Sequence, residues 1–497
     1  MRPGRRKTID KKLSAAGRPA RFAFGAGLVL ATVGCEAVDP TRVNNPRTTD
    51  ADLAEAADLT EALLPGLRAQ FARMINAYVV AEVITDNYSI HGTGIPVDLD
   101  EPRRVTPDYV NSTGTSVTGV YWNVQELRAL ADFVIDEIAP NDPGAPPALI
   151  AEARYYRGMA FLTMGEVFSY APHEEDGTPQ PSETALAKAI GDLEAGADFG
   201  PQADAALARA HRLLGDAGAA AAAANAVLSS ASDFLFAPSY DEQLLTNAPV
   251  TFLVLRALQD MQPLPRLDFL DPKYTERDSA IPVAKAEEMH LILAEIALAA
   301  DDMAGARTRL ASAVRLAGER GTVFFDEIDE RRNADLSLRP RSSNIMVRAD
   351  ADSPFRAGLV LDRPGEGLSI PGVSATSLSA DSVAALSSAD ELWHSLWLAR
   401  QEILFLEGRR LADLGIKLPM MLREIDQNDN IDEGDPGTLP VVPGHVPQDP
   451  RYAMDIYTPR ALYNGGDPGV PLIETRVTIH VDMNKVLVDS NASPFSH

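Results

Sequence analysis

The stretch IPVAKAEEMHLILAEIALAADDMAGARTRLASAVRLAG, Ile281 to Gly318, decides the fold class. Ala286, Met289, Leu293, Ile296 and Ala300 recur at three- and four-residue steps, which predicts a helix from about Val283 to Ala300 with one apolar face. Asp301 and Asp302 interrupt that pattern and cap a second helix, whose own apolar face is Ala306, Leu310, Ala313, Val314 and Ala317, ending at Gly318. So short a connection forces the helices to fold back on each other. Ala297, Ala300, Ala304, Gly305 and Ala306 are small enough to let the backbones approach near the turn.

The same scheme of helix, Asp-containing turn and Ala-rich helix occurs in ALARAHRLLGDAGAAAAAANAVL, Ala206 to Leu228, with Asp216 in the place of Asp302. Helix pairs of this kind bury their faces by stacking, as tetratricopeptide-type repeats do. The expected architecture is therefore mainly α, a scaffold of tetratricopeptide-like hairpins with long loops and a few short strands. An ordinary antiparallel helical domain with two similar hairpins is the alternative.

The chain has 497 residues, of which 45% are hydrophobic and 23% charged, ample for a large folded core. Its formal net charge is −26, and the first 34 residues hold eight of the 45 Lys and Arg but only one of the 71 Asp and Glu, so the remainder stands at −33. So acidic a body is a poor partner for nucleic acid or for an anionic membrane surface. Membrane attachment has to come from the N-terminus. There, eight basic residues precede FAFGAGLVLATVG, Phe22 to Gly34, a pattern of secretory signal too short to span a bilayer. Cys35, the only cysteine, follows at once. Gly34 before it resembles the lipobox of bacterial lipoproteins, although Thr32 stands where such boxes usually carry Leu. Lipidation of Cys35 is expected, which would tether the body to a membrane without inserting it.

Along the mature chain, a polar lead to about residue 49 precedes a helix that reaches about Val83, with Pro65 expected to bend or interrupt it. Residues 84 to 116 read as a long loop carrying Tyr88, His91 and Tyr109, and binding residues are common on such loops. Helices are expected over Val117 to Ile138, with Trp122 on the apolar stripe, and over Ala148 to Pro172, the two forming a further hairpin. Residues 231 to 280 and 322 to 378 read as loops and short strands. Glu391 to Ile416 reads as one long amphipathic helix, and TRVTIHVDM near the end as a strand.

Three of these stretches together resemble the SusD/RagB family of outer-membrane nutrient-binding lipoproteins. They are EARYYRGMAFLTMGEVFSYAP, with Arg154, Tyr155, Tyr156, Arg157, Phe161, Gly165 and Pro172; KAEEMHLILAEIALAADDMAGARTRLASAVR, with Glu288, Ala294, Glu295 and Asp302; and ARQEILFLEGRRLADL, with Arg400, Glu402, Leu404, Glu407, Gly408, Arg409, Asp413 and Leu414. Their order, behind a lipoprotein signal, covers nearly the whole chain. The helix after Trp122 departs from the family in carrying Gln125, Glu126 and Ala131 where a Tyr and an Asn are common. The resemblance implies a signal peptide over 1–34, a tether over 35–49 and a single SusD-like helical domain over 50–497. That domain would carry loop-rich insertions at about 84–116, 231–280 and 322–378 and an irregular part from about 417.

Ion pairing explains the charged motifs without catalysis. Glu407 precedes Arg410 by three residues and Arg409 precedes Asp413 by four, spacings that pair opposite charges along a helix. Arg154 and Arg157, beside Glu152 and Glu166, are expected to tie neighbouring helices. No G-x-S-x-G elbow, Walker loop, HExxH or Cys/His cluster is present, so no catalytic, metal or cofactor site is assigned. DQNDNIDEGD, Asp426 to Asp435, begins like a calcium loop, but Ile431 replaces its glycine and Gly437 its bidentate Glu, and it reads as a solvated loop.

The resemblance implies capture of an oligosaccharide or peptide and its delivery to a TonB-dependent, SusC-like β-barrel at the outer membrane. Sugar rings stack on aromatic faces while polar groups meet their hydroxyls. Tyr88, His91, Tyr109 and Trp122 are the candidate ligand residues. A tetratricopeptide-like scaffold or assembly lipoprotein that binds other proteins is the alternative function, and an enzyme of glycan breakdown the third.

Overall fold

The computed structural model describes residues 59–90, 97–110, 119–254, 261–326, 345–350, 352–362, 367–448, 476–479 and 481–496. All of them lie in one of the chain's two compact units, residues 57–497. The expected signal peptide and tether, with Cys35, lie outside the described residues. Among those described, no helix is long and apolar enough to cross a membrane.

The hairpin read from Ile281–Gly318 forms as expected. Helix α7, Ala286–Ala299, and helix α8, Met303–Glu319, are joined by a turn in which Asp301 takes a left-handed φ of 58°. The Asp302 carboxylate accepts from Gly305 N at 2.9 Å and so caps α8. Ala306, Leu310, Ala313, Val314 and Ala317 are all buried. The pair α5, Pro201–Leu213, and α6, Ala217–Ser230, repeats the device, with Asp216 accepting from Ala219 N at 2.9 Å.

Helix α7 departs from the single-face reading. Leu291, Ala294 and Leu298 pack with α8 and with α10, Ala389–Ile403, in one cluster. Met289, Ile292 and Leu293 pack on the opposite side against Ala205, Ala208, Ala220, Ala224 and Val227 of α5 and α6. A helix enclosed on both sides must neutralise its charges internally. Accordingly Glu287, Glu288 and Glu295 are buried and bonded to Arg320, Arg409 and Arg212, each from a different element.

Helix α1, Leu59–Val80, runs through Pro65 without a break. Helix α2, Val120–Asp132, continues as a π-helical turn, Phe133–Ile138, and α3 spans Pro147–Val167. The sequence reading assigned no helix between Pro172 and Pro201, yet α4, Ser182–Ala195, forms there and lies along α3. Gly158 and Gly165 make that approach possible: a Cβ on either would come within 2.8 Å of Leu193 or Leu186. Strands are short and paired in twos. Antiparallel pairs include β1, Tyr88–Ile90, with β5, Met261–Pro263, and β7, Thr322–Phe325, with β9, Leu368–Pro371. The expected C-terminal strand, β10, Arg476–Thr478, runs parallel to β8, Met346–Arg348. The C-terminal part also holds two helices not expected there, α12, Leu422–Gln427, and α13, Met483–Asp489.

The helix expected over Glu391 to Ile416 is two helices. After α10 the chain turns through Leu406 and Gly408, at φ 55° and 86°, before α11, Arg410–Leu414. The turn is held by Glu82, which accepts from Leu406 N at 3.0 Å and Arg410 N at 3.4 Å, and by close contact of Gly408 with the Tyr78 ring.

Breaking the helix reassigns every charge in the motif. Glu407 meets Lys273 and Lys285, Arg409 meets Glu288, and Arg410 meets Asp86. Asp413 pairs with Arg400 and Arg212. The role is structural as expected, but none of the near-neighbour pairs forms. Likewise Arg154 and Arg157 bind Asp192 of α4, while Glu152 bonds to Arg68 and Glu166 to Arg209.

Glu82 gives the fold a pH signature. Burial raises its carboxyl to about 7, outweighing the hydrogen bonds from Arg410, Gly408 and Asn87 that favour the anion. In the unfolded chain the group ionises near 4.5, so between pH 4.5 and 7 the folded state holds the extra proton and stability falls as pH rises. Across that window wild type is expected to lose on the order of 3 kcal/mol relative to Glu82→Gln. Urea midpoints at pH 4.5 and 7.5 measure it, and equal slopes for the two proteins would refute it.

Candidate ligand-binding site

Two clefts open side by side on α2. The first, of about 440 Å³, lies between α2, the Pro172–Asp176 turn and α12. The second, of about 750 Å³, lies between α2, α3, α4 and the same turn. Arg128, Ala129, Glu174 and Glu175 line both, so they form one continuous groove. Each lies in the size range of small-molecule sites.

Trp122 is the aromatic wall of the first cleft. Its half-buried ring is held at one edge by Nε1 donating to Glu126 Oε2 at 2.9 Å. The Arg423 guanidinium stands 5.7 Å from the ring centroid and donates to Gln427 Oε1 at 3.0 Å. Gln125 joins α2 to the turn by donating to Pro172 O at 2.9 Å, and its Oε1 accepts from Arg128 Nε at 2.8 Å. The turn is anchored in its place by the Asp426–Asp435 loop. Asn428 donates to Gly177 O at 2.9 Å and Asn430 to Asp176 O at 2.7 Å, so the two Asn amides brace backbone. Among the described residues no group of three or more His, Cys, Asp or Glu is placed to hold a metal ion.

In the second cleft, Arg157 binds Asp192 through two nitrogens and also meets Asp132 and Asp136. Lys188 lies over the Phe161 ring at 5.3 Å. His173 packs edge-on against Phe161, centroids 5.3 Å apart, and both its ring nitrogens lack a hydrogen-bond partner among the described residues. Burial, then the charges of Lys188 and Arg128, push its pKa down to about 4, so the imidazole is neutral near neutral pH.

The structure does not bring the four sequence candidates together. Trp122 lines the groove. Tyr88 is a core residue at 3% exposure, stacked on Phe405 at 6.0 Å with its hydroxyl donating to Asp271 at 3.1 Å, so its ring is closed to a ligand. It was misplaced because a three-residue strand, β1, inside the expected loop pairs it inward with β5. Tyr109 is half-buried and donates to Asp98 Oδ2 at 2.8 Å. That turn adjoins α12 through Leu422 N donating to Pro107 O at 3.0 Å, but Tyr109 is not among the groove's lining residues. His91 lies outside the described residues. Sequence reasoning missed Arg423, Gln427 and the Glu174–Asp176 turn. The run HEEDG, His173 to Gly177, between two helical patterns was the available signal.

No protein-family model matches the sequence, and no curated protein matches it. Solved structures do. The chain is similar to a SusD-like carbohydrate binding protein from Bacteroides vulgatus, at 12% identity and TM-score 0.45, over 71% of this chain and 83% of that one. It is similar to a SusD superfamily protein from Parabacteroides distasonis, at 11% identity and TM-score 0.49, over 75% and 98% of the two chains. It is also similar to NanU of B. fragilis, at 11% identity and TM-score 0.47, over 74% and 90%.

Proposed function

We propose that this protein is a non-enzymatic, surface-tethered lipoprotein that captures an oligosaccharide in the Trp122 groove and passes it to a TonB-dependent, SusC-like β-barrel. Cys35 would carry the lipid that holds it at the outer membrane. The observation that carries the reading is the half-buried Trp122 face in an open cleft, flanked by Arg423, Gln125, Gln427 and carboxylates. A flat apolar ring beside fixed donors and acceptors matches a pyranose, with one apolar face and an edge of hydroxyls. The names of the similar solved structures support a carbohydrate ligand over a peptide.

Trp122→Ala is expected to weaken binding about tenfold or more for whichever oligosaccharide is retained from a panel of starch-, cellulose-, xylan- and chitin-derived hexamers. Calorimetry on the folded variant, its melting temperature checked alongside, measures the effect, and an unchanged affinity would remove this cleft as the site. Capture of the protein from native membranes in mild detergent should recover a large β-barrel. Recovery of soluble assembly factors in its place would favour the protein-binding scaffold.

A further inference from the structure

Resting on the saccharide reading, we infer that the groove selects an amine-bearing saccharide, a positively charged amino-sugar oligomer, over neutral or acidic ones. The groove's arginines are already occupied. Arg157 meets three carboxylates, Arg128 bonds to Gln125 and Asp132, Arg154 to Asp192, and Arg423 to Gln427. Asp132, Asp136 and Asp192 are taken up by those arginines, but four other groove carboxylates are not. Glu137 and Glu175 are exposed on the groove walls, as are Glu174 and Asp176, and their side chains have no ion pair or hydrogen bond among the described residues. Lys188, over Phe161, is the cation on these walls that makes no ion pair among the described residues.

A ligand ammonium therefore meets several carboxylates with no protein cation to displace, whereas a ligand carboxylate meets their repulsion. The net charge of −26 on the whole chain reinforces the bias by raising the local concentration of cations.

His173 supplies a second, independent pointer to a ligand. It lines the groove at 6% exposure with both ring nitrogens unbonded among the described residues, an expensive arrangement for a buried polar group. Held neutral, the imidazole keeps an acceptor nitrogen. Turning the ring about its broad terminal torsion presents that nitrogen to an ammonium or hydroxyl in the groove.

The test compares three hexamers by calorimetry: de-acetylated chitosan, its N-acetylated chitin counterpart, and oligogalacturonate. Wild type is expected to bind the amine form at least tenfold more tightly than the N-acetyl form, with the preference shrinking as salt is added. Glu174→Gln with Glu175→Gln, both exposed and remote from the core, should cut that preference to about threefold while leaving the melting temperature unchanged. Equal affinity for the amine and N-acetyl forms, or tighter binding of the uronate, overturns the inference but leaves saccharide binding standing. Binding of a lysine-rich peptide with no amino-sugar binding assigns the charge to a peptide and also overturns it. If no saccharide of any charge binds, the underlying reading fails as well.

Discussion

Glu407→Ala is expected to lower the unfolding free energy by about 3–5 kcal/mol, because it leaves two buried lysines facing an uncharged site. Lys273 and Lys285 are 4% and 0% exposed, and both ammonium groups bond to Glu407 Oε1. Their remaining partners are neutral: Phe405 O for Lys273, and Ser374 Oγ, Ile403 O and Val373 O for Lys285. Neutral oxygens do not offset the desolvation of two charges. Burial already lowers Lys273 to about 8 with Glu407 present. A base whose folded pKa is depressed destabilises most where the unfolded chain is fully protonated, below pH 8. That cost is relieved as pH rises through the interval from 8 to 10.5. Glu407 raises the pKa of Lys273, so its removal drives that ammonium's pKa further below 8. The deficit of Glu407→Ala should therefore shrink as pH rises towards 8, and Glu407→Gln, which keeps the shape, should show the same pH trend. Urea unfolding measures both, and a loss under 1 kcal/mol at pH 7 would mean that the lysines are not confined as described.

Gly408→Ala is the second large effect, about 3 kcal/mol or more. Two costs add there. A left-handed φ of 86° costs any L-residue about 1–2 kcal/mol. The new Cβ would also stand 2.1 Å from Tyr78 Cε1, and overpacking of that kind costs a further 1–3 kcal/mol. Tyr78 is not free to retreat, since it is buried and its hydroxyl donates to Glu166 at 2.7 Å, the carboxylate that pairs with Arg209. Gly434 separates the two costs. It has φ 95° with nothing within 4 Å of an added Cβ, so Gly434→Ala should show only the backbone cost. Equal melting temperatures for the two variants would refute the steric half of the argument.

These two positions explain why the EGRR motif was half legible. Its charge content correctly announced ion pairing, but near-neighbour pairing presumes a continuing helix. The helix stops because Glu82 and Tyr78, more than 300 residues earlier, hold the turn. Glu407 then reaches Lys273 and Lys285, 134 and 122 residues away. Nothing in local spacing encodes such partners. The same holds for Tyr88, whose apparent place in a polar loop hides a strand that pairs inward.

The groove was legible only at Trp122. Its other walls come from a turn near residue 175 and a six-residue helix near 425, held together by Asn428 and Asn430. Those asparagines lie in a stretch that reads as a solvated loop, and what they do, bracing backbone carbonyls, depends on neighbours 251 and 254 residues away.

What the sequence determined by itself is local in its physics. The α5–α6 and α7–α8 hairpins, their Asp216 and Asp302 caps and the buried face of α8 follow from three- and four-residue periodicity and from a side chain reaching an amide three residues on. The tertiary structure alone decided that α7 is enclosed on both sides, that α10 ends at Ile403, which cation neutralises which carboxylate, and that Trp122 faces a groove while Tyr88 does not. Periodicity reports which side of an element is apolar, whereas burial of charge and the shape of a cleft depend on elements that meet only after the chain has folded.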